Sequence, residues 1–148
     1  MASILSEHTF DSDVSIARLR DFLNDCVGSA ACEEADRIRE AGLLLQGVPL
    51  IAGACPDLET VDTMLSCGAA ESAVLTILDP DMAFMLSRGV GGSCLATVVV
   101  EDGSEEIISE GATVALALLA AYVSLLLARF ELVQAAVRIT IPSSARIH

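Results

Sequence analysis

Lysine and tryptophan are absent from this chain, and histidine occurs only at His8 and His148. Each absence removes a class of chemistry. Without lysine there is neither a Schiff-base nucleophile nor a phosphate-loop lysine. Gly89-x-Gly91-Gly92 therefore reads as a flexible turn rather than a nucleotide cradle. A histidine near each end puts no imidazole on a rigid element, which argues against Ser-His-Asp or Cys-His hydrolysis. Basic charge is scarce too: eight arginines face 21 acidic residues, a net charge of −13. Direct binding of nucleic-acid phosphate needs clustered lysine and arginine, so this composition argues against it.

Cysteines stand at positions 26, 32, 55, 67 and 94, with no Cys-x-x-Cys pair among them. They read as free thiols of a reducing cytoplasm, mostly small core hydrophobes. No spacing matches a zinc site or an EF-hand. Residues 1–13 carry Glu7, Asp11 and Asp13, the wrong chemistry for a secretory leader, so a cytoplasmic location is expected. No catalytic, cofactor-binding or metal-ligating residue singles itself out. The expectation is a protein that is not an enzyme and holds no cofactor.

What is present is apolar. Hydrophobic residues make up 53% of 148 positions, enough for one domain with a sizeable core. The stretch 111–129, GATVALALLAAYVSLLLAR, has no charge between Glu110 and Arg129. It predicts a buried helix over about 111–131, extending to about residue 136. Seventeen uncharged residues rise only ~26 Å, short of a ~30 Å hydrocarbon core, and six of them are alanine. A core helix is preferred to a membrane span on those grounds.

The rest of the chain is arranged before it. Residues 1–12 read as a loose lead-in, followed by a single domain over 13–142 and a tail over 143–148. Leu19, Phe22, Leu23 and Cys26 share one face of a first helix starting near Asp13. Ser29 is placed to cap a second helix, Ala30 to Ala41, with Gly42 as a stop unless Leu43–Leu45 add a turn. Residues 46–55 read as a buried loop with a short edge strand. Pro56 opens a short helix, Asp57–Ser66, ended by Cys67-Gly68. Residues 69–78 suit either strand or helix. After a turn at Asp79-Pro80-Asp81, apolar runs on either side of the glycines predict a hairpin. A short acidic third strand follows, giving an antiparallel three-stranded sheet over about 82–109. Val137–Ile141 reads as a last strand.

Two sets of residues are candidates for interaction. Glu101, Asp102, Glu105 and Glu106 form an acidic cluster, either a solvated hairpin tip or a docking surface. Leu118, Ala121 and Leu125 lie on one stripe of the central helix and suit a self-association seam. Cys94, on a strand beside the glycine turn, is the thiol to test for reactivity.

Thr113-x-x-Leu116-Ala117-Leu118-x-x-Ala121, following the hairpin, resembles the C-terminal signature of the phage ABA-sandwich family of small phage and prophage proteins. Glu33–Ile38 (EEADRI) and Asp57–Leu65 (DLETVDTML) resemble its acidic-helix and short upstream segments. Coverage is about residues 15–130. The resemblance implies an α+β fold with helices on both faces of a small antiparallel sheet, and a mobile-element context; it brings no catalytic residues. The function expected is therefore a phage-type accessory protein that binds another protein of unknown identity. DNA mimicry is a special form of it, but the charge is spread evenly, −5 in each of 1–40, 41–80 and 81–110. The rival expectations are a small-molecule or enzymatic domain using carboxylates or a thiol, and a homodimeric structural module.

Overall fold

The computed structural model describes residues 2–46, 57–99 and 106–145, with side chains over 13–46, 57–99 and 106–137. The elements in order are α1 (Ala2–Gly28), a 3-10 turn (Ala31–Glu33), α2 (Glu34–Gln46), α3 (Leu58–Ser66) and α4 (Ala70–Ile77). Strands β1 (Ala83–Arg88), β2 (Cys94–Val99) and β3 (Glu106–Gly111) follow, then α5 (Val114–Ala145). The class is α+β, as the hydrophobic patterning predicts. The loop at 46–55 with its edge strand falls almost wholly outside the described residues, and the turn at 101–104 does so entirely.

The helices are placed by their apolar faces. In α1, Ile16, Leu19, Phe22 and Cys26 are buried, at helical spacing. The helix begins at Ala2 rather than near Asp13, because 2–12 contain no glycine or proline to stop propagation. Ser29 does not cap α2. Its hydroxyl donates to the Asp25 carbonyl and accepts from Arg37 Nε at 2.9 Å, tying the end of α1 to α2. Gly42 does not stop α2; it is buried where Leu58 approaches, and Leu43–Leu45 continue the helix.

Asp57, expected as the first residue of α3, stands just before it as the cap, accepting from the Glu59 amide at 3.2 Å and the Thr60 hydroxyl at 2.6 Å. The Thr60 hydrogen bond holds the Asp57 carboxyl below the usual carboxylate range. Gly68, at φ 76°, lets the chain reverse after α3. Residues 70–77 resolve as helix, burying Ala73, Val74 and Ile77. The turn at Asp79–Asp81 forms as expected, with the Met82 amide bonded to the Asp79 carbonyl at 3.1 Å.

The sheet has the order β1-β2-β3, antiparallel throughout. Cross-strand partners run Met85↔Thr97↔Ile108, Phe84↔Val98↔Ile107 and Ser87↔Leu95↔Glu110. Because side chains alternate, Cys94, Ala96, Val98, Ile107 and Gly111 share one face, and α5 lies against it. On its other side α5 meets α1, α2 and α4, while α3 packs on α2 and α4.

The layers are therefore sheet, α5, then the remaining helices. The expected arrangement had helices on both faces of the sheet; here it is the central helix that lies between two layers. Ala115 to Val123 are all buried, nine consecutive residues that no single apolar face accommodates. Covering a helix that is apolar all round takes the sheet on one side and helices on the other. Tyr122 is the largest buried side chain, and burial pushes its hydroxyl pKa up. Val137–Ile141 are helical, not a strand, and α5 runs on through the expected tail to Ala145. The β-branched run there continues a helix already nucleated and anchored upstream.

Candidate functional site

One face of the sheet has α5 against it. The other presents Ala83, Met85 and Ser87 from β1, Leu95, Thr97 and Val99 from β2, and Glu106, Ile108 and Glu110 from β3. Across its middle runs a row of Met85 (60% exposed), Thr97 and Ile108 (62% exposed). Leu95, 38% exposed, adjoins that row. Along β3, Glu106 and Glu110 stand two residues either side of Ile108 and are exposed. No cation lies within ion-pair distance of either among the described residues. The result is an apolar band bordered on one side by two uncompensated carboxylates.

Of the expected acidic cluster, Glu106 is placed on this face; Glu101, Asp102 and Glu105 lie outside the described residues. The expected self-association residues are elsewhere. Leu118, Ala121 and Leu125 are at most 2% exposed, packed inside the chain's own core. A seam through them is corrected to a core contact, because the layers on either side of α5 already occupy that surface. Cys94 is 1% exposed against α5 and is no accessible nucleophile. Cys26 is also buried, and desolvation pushes its thiol up to about 12.

Two clefts lie among the described residues as well. A cleft of about 590 Å³ lies between α1 and α5, lined by Asp13, Arg20, Glu131 and Gln134 among others. Its charges face one another: Arg20 pairs with Glu131 at 2.7 Å, and Gln134 donates to Asp13 at 2.6 Å. A cleft of about 330 Å³ lies between α2 and α3, where Arg39 pairs with Asp62 at 2.8 Å. In the α1–α5 cleft these polar groups are engaged with each other instead of converging on empty space, as a ligand site requires; in the α2–α3 cleft one ion pair does the same beside Glu59. No cluster of three metal-ligating side chains occurs among the described residues.

The exposed apolar residues of the sheet were not singled out by sequence. A signal was present. Phe84-Met85-Leu86 puts three large apolar side chains in succession on a strand, so at least one must point away from any single covered face.

The helix portion Val114–Val137 is long and apolar enough to cross a membrane by length and composition. Length thus does not separate a core helix from a span. Burial favours the core: 67% of its most apolar window is enclosed within the fold.

Comparison with protein-family models, curated proteins and solved structures finds no match to this chain. The likeness to the phage ABA-sandwich family rests on its three sequence segments alone.

Proposed function

We propose that this chain is a non-enzymatic binding protein, of the accessory type its sequence resemblance implies. Its open sheet face docks a protein surface that is apolar at the centre and basic at the rim. The observation that carries the proposal is the Met85–Thr97–Ile108 row, with Met85 and Ile108 exposed on either side of a half-buried Thr97 and Glu106 and Glu110 bordering it. Contiguous apolar surface rimmed by charge is the usual make-up of a docking site. The chain's net charge of −13 steers basic partners toward it and repels acidic ones. The engaged charges of both clefts and the burial of Cys94 leave a ligand-binding or thiol reading with less support.

Ile108→Arg tests this. The residue is exposed, so the fold tolerates the change, which circular dichroism checks. In affinity capture from a lysate of the source cell, the wild-type chain should retain a partner that Ile108→Arg loses. Glu106→Gln with Glu110→Gln should weaken the same capture at low salt more than at moderate salt. Identical capture by wild type and Ile108→Arg would sink the proposal.

A further inference from the structure

The two edges of the sheet are not alike. The β3 edge carries Glu106 and Glu110, charges that discourage strand addition, and α1 also contacts it. The β1 edge has no such protection. All six of its residues are exposed, among them Phe84 (37%), Met85 (60%) and Leu86 (42%), and it contains no proline or acidic residue.

The hydrogen-bond phase of this edge can be read from the hairpin. The Gly89 amide donates to the Ser93 carbonyl at 2.8 Å, so 89↔93 is a hydrogen-bonded pair. In an antiparallel ladder such pairs alternate with non-bonded ones. Ser87, Met85 and Ala83 therefore direct their amides and carbonyls at β2. Phe84, Leu86 and Arg88 direct theirs outward, and no described strand meets them.

We propose that the β1 edge pairs antiparallel with β1 of a second copy, joining two sheets into one of six strands with a two-fold axis at Met85. Three observations select this occupant. With the axis there, Phe84 lies opposite Leu86 of the copy, so the outward-facing backbone groups meet each other in phase. The charges at the two ends of the strand also match those of a copy. Asp81 stands before the strand and Arg88 at its end, and neither is in an ion pair among the described residues. Run antiparallel about Met85, each Arg88 falls opposite Met82 of the other chain, beside that chain's Asp81. Finally, edge pairing keeps the acidic β3 strands on the two far sides of the joint sheet. Stacking two open faces with β3 over β3 would instead press Glu106 and Glu110 of both chains together.

The contact is a single strand pair, below the ~1,200 Å² of a standard stable interface, so the dimer depends on concentration. Sedimentation velocity of the purified chain, from micromolar to near-millimolar, reads it directly. The mass should rise from 15.4 kDa toward twice that value. Arg88→Asp alone and Asp81→Arg alone should each move the transition to at least tenfold higher concentration. The double variant Asp81→Arg/Arg88→Asp should restore it, because the ends match again. A chain that stays monomeric at the highest concentration overturns the proposal. So does a dimer that the single charge variants leave unchanged, or one the double variant fails to rescue. No partner protein enters this experiment, so its outcome is separate from the docking reading above.

Discussion

A thiol deprived of water resists ionisation, and a thiol that does not ionise does not attack. The described cysteines divide on this basis: Cys26 and Cys94 are buried, and Cys32 and Cys67 are exposed. Iodoacetamide at pH 8 on the folded chain, read by peptide mass mapping, should label Cys32 and Cys67 and spare Cys26 and Cys94. Rapid labelling of Cys94 would reopen the thiol reading. Cys26 also carries a pH dependence. Its folded-state pKa, about 12, is above that of an unfolded thiol, so the folded state holds the proton more tightly. The resulting stabilisation is complete below about pH 8.5 and is lost as pH rises toward the folded value. A Cys26→Ala variant should lose less stability than wild type over that window, measured by urea unfolding at stepped pH. The sequence showed that these thiols lack metal spacing, but not which were buried. Cys26 recurs at helical spacing with Leu19 and Phe22, so its burial was legible; that of Cys94 depended on which face of its strand α5 covers.

Among the elements, those with local signals were readable in advance. Asp57 and Gly68 bracket α3, and three glycines mark the turn between β1 and β2. Residues 70–77 were not readable, since eight residues of mixed apolar character suit a strand as well as a helix until neighbours are known. Two glycines show how packing, not local preference, sets an element's tolerance. A Cβ added at Gly111 would lie 2.6 Å from the Ala117 backbone nitrogen, where β3 meets α5. Backbone cannot step aside, so Gly111→Ala should destabilise by about 1–3 kcal/mol. At Gly42 the obstruction, at 2.8 Å, is the Leu58 Cδ2 methyl, the end of a flexible side chain. Gly42→Ala also gains about 1 kcal/mol of helix propensity, so it should be near neutral. Thermal unfolding of both variants checks the contrast, and equal losses would show that the sheet–helix approach is looser than described.

At the scale of the whole molecule, the chain is a stack in which a sheet and a set of helices share one apolar helix between them. That arrangement accounts for a helix with the composition of a membrane span inside a protein of strongly acidic surface. Carbonate extraction of membranes from expressing cells should leave the chain in the supernatant; retention in the pellet would mean that α5 leaves this fold for the bilayer. The sequence by itself determined the α+β class, the strand–turn–strand hairpin and a long apolar helix over most of 111–131, because these follow from composition and short-range periodicity. Only the tertiary structure decided the layering, and with it which residues are available. Leu118, Ala121 and Leu125 were plausible as a seam on an isolated helix, yet they are core once two layers close over them. Met85 and Ile108 were ordinary strand hydrophobes until the helices gathered on one side of the sheet and left them facing water. A strand's alternation says that its two faces differ, but which face is covered depends on elements far away in the chain.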